Sequence, residues 1–191
     1  MTSRRNFISM IPAAALALGL TAAPSAFADD YPFGSPPWTI GFSQDTMDHP
    51  WRAYMVTSAE AQAKQYPDLI KEFIYTDAGG SNEKQIADVE DLISRGVDLI
   101  MMSPREAQAL VPSVNAIKAA GIPLVVLDRE VVGEDYNVFI GGDNLQIGEK
   151  LGEYTVAKAG KKFNYLELEG IPGATPTIQR HEGFTSKIEG D

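Results

Sequence analysis

Short runs of β-branched and other apolar residues alternate with longer amphipathic stretches from residue 38 onward. The clearest run is Ile122-Pro123-Leu124-Val125-Val126-Leu127, which follows Gly121 and leads straight into Asp128-Arg129. A run this short, with no polar alternation, predicts a fully buried parallel strand rather than a helix. Comparable runs predict strands over residues 38–43, 71–76, 97–102, 137–140 and 163–168. Between them the apolar positions recur at helical spacing. Asp48-His49-Pro50 opens a helix over about residues 51–65, with proline at the first position, where its missing N–H costs nothing. Ile86, Val89, Leu92 and Ile93 share one face of a helix over residues 81–95, which Gly96 stops. Ser103-Pro104-Arg105-Glu106 reads as a capping box with proline at the first helical position, the strongest local start signal in the chain. Ala107, Leu110, Val111, Val114 and Ile117 then follow in register until Gly121. Ile147, Leu151 and Tyr154 mark a further helix ended by Gly160; residues 170–177 form a flexible loop, and a last helix starts near Thr177. Strands alternating with helices in this order predict an α/β fold, a doubly wound parallel sheet with right-handed crossovers.

The amino terminus adds a compartment. Arg4-Arg5 precede an uncharged, largely apolar run from Ile8 to Ala28, and Ala26-Phe27-Ala28 is a small-x-small cleavage site followed by Asp29-Asp30. Residues 1–28 therefore read as a twin-arginine signal peptide, cleaved on export to the periplasm. A retained membrane anchor is the other reading. Pro12, Pro24 and the small-residue end oppose it, because a spanning helix wants about 20 strongly apolar residues. Removing residues 1–28 takes away Arg4 and Arg5 and moves the formal charge from −10 to −12. So acidic a chain is no partner for nucleic acid or anionic lipid. The absence of cysteine excludes thiolate zinc sites, iron–sulfur clusters and a lipid-anchored cysteine.

The motifs of nucleotide and hydrolase chemistry are missing. No G-x-G-x-x-G follows the first strand, and the sequence contains no G-x-x-x-x-G-K-[ST] and no G-x-S-x-G elbow. His49 and His181 lie far apart without flanking ligands, so they are expected as a helix cap and a surface group, with no metal and no cofactor. What remains is a set of polar and aromatic residues, most of them at strand ends: Ser43, Gln44, Trp51, Arg52, Ser103, Asp128, Arg129, Asp143 and Arg180. Ligands of open α/β sheets bind beyond the carboxyl ends of the strands. Charged planar groups suit vicinal hydroxyls, and an indole suits the apolar face of a sugar ring, so the set fits a neutral polyol. Two alternatives stay open at this point. Asp128-Arg129 is either a ligand grip or a surface ion pair, and Trp51 either faces a ligand or packs its helix.

These residues also carry a family resemblance. Gly41-Phe42-Ser43-Gln44, Pro50-Trp51-Arg52, the block from Asp88 to Pro104, Leu127-Asp128-Arg129, Gly142-Asp143-Asn144, and Glu167 to Gly170 through Arg180 and Gly183-Phe184 together resemble the periplasmic sugar-binding proteins of ABC importers. The resemblance is to the ribose/galactose type (type I periplasmic binding proteins), nearest the galactofuranose and simple-sugar subgroup. It implies two α/β lobes around a cleft that closes as a hinge bends, and a binding protein rather than an enzyme. Asp128, Arg129 and Arg180 would then bind hydroxyls, Trp51 would face the ring, Arg52 would add a polar contact, and Asp143 would lie near the first crossing between lobes. Ser103 stands where ribose binders carry an amide, which argues against ribose, and Glu169 stands where relatives often have glutamine. The implied partners are a monosaccharide and an inner-membrane ABC permease, with no stable membrane insertion after signal removal and a monomeric state. A sensor module feeding a chemoreceptor or kinase is the alternative. On this reading residues 29–37 are a disordered leader, 38–141 a first lobe lacking its C-terminal return, and 142–191 the beginning of a second lobe, truncated, with an exposed sheet edge.

Overall fold

The computed structural model describes residues 34–160 and 162–188; the expected signal peptide, residues 1–28, lies outside them. The sheet is built from β1 (Trp38–Gln44), β2 (Ile70–Asp77), β3 (Leu99–Ser103), β4 (Leu124–Leu127) and β5 (Val138–Ile140). All neighbouring pairs are parallel, in the order β2-β1-β3-β4-β5. The helices are α1 (Pro50–Ala63), α2 (Asn82–Ser94), α3 (Val111–Ala119), α4 (Asn144–Ala159) and α5 (Thr175–Ile188). None of the described helices is long and apolar enough to cross a membrane.

Period-two alternation divides the core. Ile100 and Met102 of β3, with Leu124 and Val126 of β4, pack with Val89 and Leu92 of α2 and Val114 and Ile117 of α3. The intervening Met101 and Val125 pack with Phe42, Val56 and Leu127 on the face covered by α1, where Phe42 meets Phe73 edge-on at 6.3 Å. Sheet-facing helices on both faces are what a doubly wound fold requires, because parallel strands must be buried twice.

Local signals account for the starts of α1 and α2 and the end of α2. His49 is extended (φ −109°, ψ 132°) and its imidazole accepts from the Trp51 N–H, capping α1 with Pro50 at its first position. Ser81 caps α2 by accepting from the Lys84 N–H, and Gly96 leaves it at φ 67°.

Two expectations fail. The Ser103–Glu106 box starts no helix; α3 begins eight residues later, at Val111, and the proline in its first turn is Pro112. Tertiary bonds outcompete the local cap. The Ser103 hydroxyl accepts from Arg52, the Gln85 side chain donates to the Ser103 carbonyl and accepts from the Arg105 N–H, and the Ala107 N–H goes to the Gly173 carbonyl. Residues 163–168 form no strand. A strand needs a neighbour to satisfy its backbone, and among the described residues no ladder reaches this segment. Its odd side chains are held instead: Tyr165 packs on Phe163 and, edge-on at 5.3 Å, on Phe184 of α5, while Leu166 and Leu168 stand 86% and 89% exposed.

The pairing of α4 with α5 relies on glycine. A Cβ on Gly152 would lie 2.8 Å from the Phe184 carbonyl oxygen, and Cβ atoms on Gly148 or Gly183 would collide with the facing backbone. This close approach places Arg180, on α5, beside Asn144 at the start of α4: the Arg180 Nε donates to Asn144 Oδ1 at 2.9 Å.

Candidate functional site

Beyond the carboxyl ends of β1 and β4 lies one hollow of about 620 Å³, within the roughly 300–1,000 Å³ usual for small-molecule sites. Thr46, His49, Trp51 and Arg52 form one side with Asp128 and Arg129, and residues 167–171, 174, 176, 177 and 180 form the other. Trp51, Arg52, Asp128, Arg129 and Arg180 of the nominated set therefore converge. Trp51 is 60% exposed and its indole lines the hollow.

Asp128 and Arg129 do not pair with each other. Asp128 is the one non-glycine residue with positive φ (63°) among the described residues, a conformation costing an L-residue roughly 1–2 kcal/mol. It is fixed by the Asp128 N–H donating to the Ile140 carbonyl at 2.8 Å and the Arg129 N–H donating to the Leu127 carbonyl at 2.7 Å. The reversal sends the two side chains to different partners. The Asp128 carboxylate meets Arg52 Nη2 at 2.9 Å, and Arg129 Nη1 donates to Asp45 Oδ2 at 2.8 Å. Arg129 Nη1 also lies 3.4 Å and 3.3 Å from the carbonyls of Pro104 and Arg105. Burial lowers the Arg129 pKa from its ordinary value and Asp45 opposes that shift; a guanidinium stays protonated regardless. In place of a surface ion pair between neighbours stands a four-ion floor, Asp45 and Arg52 buried and Asp128 and Arg129 half-buried.

Arg52 borders the hollow but is only 6% exposed, and its three nitrogens are engaged by Ser103, Asp128 and, at 3.5 Å, Asp45. Ser43, Gln44 and Ser103 are fully buried beneath the strand ends and do not line the hollow. Gln44 accepts from the Asp45 N–H, and Ser103 accepts from Arg52, so both serve the floor from below. Asp143 is exposed, away from the hollow, and caps α4 by accepting from the Gln146 N–H. Asp45 is the residue sequence reasoning passed over. It follows β1 directly and is 0% exposed; its signal was the one already read at Asp128, an acid at a strand exit.

His181, expected as a lone surface group, stands with Glu167 and Glu169, their ligand atoms all within 4.8 Å of one another. These are groups that can hold a divalent cation. The 2.8 Å contact of His181 Nδ1 with Glu167 already accounts for two of the three, and all three are at least partly exposed.

Comparison with known proteins agrees with the fold. A family profile described as Periplasmic binding protein domain matches residues 40–191. The ribose import binding protein RbsB of Bacillus subtilis is 34% identical over 147 residues, covering 77% of this chain and 47% of that protein. A crystal structure of a galactofuranose binding protein superposes with a TM-score of 0.73 at 31% identity, over 80% of this chain and 52% of that one. The fructose binding periplasmic domain of a hybrid two component system does so with a TM-score of 0.73 at 32% identity, over 80% and 50% of the two chains. The chain spans about half the length of the curated relatives it matches.

Proposed function

Because this chain belongs to the periplasmic binding protein domain family, we propose that it binds a neutral monosaccharide reversibly in the hollow and delivers it to an ABC permease from the periplasm. The observation that carries this reading is convergence: an exposed indole, a carboxylate and two guanidinium-bearing residues, Trp51, Asp128, Arg129 and Arg180, border one hollow at the strand ends. Sugar recognition uses these groups, an aromatic face for C–H bonds and planar ions for paired hydroxyls. The described side chains offer no nucleophile held by a base around the hollow, and the relatives are binding proteins. The nominated residues divide the work. Trp51, Asp128, Arg129 and Arg180 face the ligand, while Arg52, Ser103 and Gln44 support them.

A thermal-shift screen of the chain against pentoses, hexoses and furanose-forming sugars tests the reading. A cognate sugar at 100 times its Kd should stabilise the protein by about 2.7 kcal/mol. If no sugar at millimolar concentration raises stability by even ~1 kcal/mol, the reading is abandoned.

Sensing is the second reading, favoured by the likeness to a periplasmic domain of a two component system. Uptake of labelled cognate sugar by cells with the gene deleted separates the two. Lost uptake supports transport, whereas intact uptake with a lost transcriptional response supports sensing.

A further inference from the structure

We propose that Asp45 restricts the hollow to uncharged ligands, acting as a positioning residue that orients Arg129 and cancels charge beneath the ligand. This inference rests on the neutral-sugar reading of the hollow and names the residue that enforces that neutrality.

Asp45 does not line the hollow; it is 0% exposed, one layer below. Its backbone is pinned on both sides, the N–H donating to Gln44 Oε1 at 3.0 Å and the carbonyl accepting from the Gly80 N–H at 2.7 Å. From that fixed point Oδ2 accepts from Arg129 Nη1, and Oδ1 lies 3.5 Å from Arg52 Nε. Every polar contact of Arg129 among the described residues runs through its backbone N–H or Nη1. Its Nε and Nη2 are therefore the hydrogen-bond donors left for a ligand.

The charge count gives the selectivity. Arg52 and Arg129 are balanced by Asp45 and Asp128, two cations against two anions, and the facing wall adds Arg180 against Glu167 and Glu169. No net positive charge is left for an anionic ligand. Asp45 Oδ1 is buried and makes no hydrogen bond among the described residues. Its nearest cation is Arg52 Nε at 3.5 Å, so this oxygen meets Arg52 through charge, while Oδ2 accepts from Arg129. Without that charge, Arg129 would present a fork suited to a carboxylate.

Calorimetric titration of the full chain and of Asp45→Asn with D-galactose and D-galacturonate, and with D-glucose and D-glucuronate, tests this. Each pair differs only in a carboxylate at C6. The wild-type protein should prefer the neutral member by at least a hundredfold, and Asp45→Asn should narrow that ratio at least tenfold, more at low salt than at high salt. Asp45→Glu, which keeps the charge, should keep the ratio. If Asp45→Asn does not unfold cooperatively, Asp45→Asn/Arg129→Gln replaces it. That double variant restores the balance of charge and should retain the wild-type preference even though total affinity falls. A folded Asp45→Asn with the wild-type ratio, or a double variant that favours the acids, overturns the inference while leaving the sugar reading standing. A wild-type chain that binds no neutral sugar in the thermal-shift screen sinks both.

Discussion

The wall of the hollow at the strand ends rests on buried ions locked to the sheet, whereas the facing wall, residues 167–180, is a loop and a helix whose side chains are mostly exposed or half-buried. Beneath the first wall Asp45 and Ser103, and within it Arg52, are each 6% exposed or less and are cross-bonded across β1, α1, β3 and the exit of β4. On the second, Leu168 is 89% exposed and Arg180 is exposed. A few bonds join the second wall to the first: the Ala107 N–H to the Gly173 carbonyl, the Glu130 N–H to Thr175 Oγ1, and Gln179 Nε2 to Glu130. The contrast is between a preorganised half-site and an adjustable one. Groups already fixed on the sheet lose little freedom when a ligand arrives, and a wall held by a few bonds can close over it.

If the first wall is the rigid one, breaking it should unfold the protein. Asp45→Ala leaves two buried guanidiniums with one anion and should cost about 3–5 kcal/mol in urea unfolding. A loss below ~1 kcal/mol would mean that the floor is not a coupled unit. Forcing α4 and α5 apart attacks the second wall through its anchor. Gly183→Ala should cost about 1–3 kcal/mol and weaken ligand binding by displacing Arg180, and retention of full affinity would show that Arg180 is not placed by this packing. Trp51→Ala and Arg180→Ala remove exposed groups, one from each wall. Each should weaken sugar binding at least tenfold, about 1.4 kcal/mol, and move stability by no more than ~0.5 kcal/mol. Equal losses of affinity and stability would return Trp51 to a packing role. His181→Ala breaks an exposed pair with Glu167 and should change stability by less than ~1 kcal/mol.

Much of this contrast was legible in the residues. The strand β4 and the acid at its end were readable because Leu124 to Leu127 has no polar alternation and is bounded by breakers, and His49-Pro50 announced α1 through local chemistry alone. The cross-pairing of Asp128 and Arg129 was not legible, since it depends on φ 63° at Asp128, a backbone state that no local pattern dictates. For that reason neither residue is expected to be stability-neutral, although the pair first read as either a ligand grip or a surface ion pair. Ser103–Glu106 misled because a capping box describes what a backbone does without competitors, and here Arg52, Gln85 and Gly173 compete. Residues 163–168 misled because alternation shows that a segment can pair, while pairing itself needs a neighbour. Asp45 was missed for want of a partner in sequence: its two arginines lie 7 and 84 positions away.

The two tryptophans, Trp38 and Trp51, offer the most direct test of the central claim, that the hollow takes a sugar against its indole wall. In a Trp38→Phe background Trp51 is the sole tryptophan, more than half exposed and on the rim. Its fluorescence should shift to shorter wavelength and saturate as the cognate sugar is added, with the Kd found by calorimetry. A calorimetrically binding sugar that leaves the Trp51 emission unchanged would place the ligand elsewhere and contradict the account.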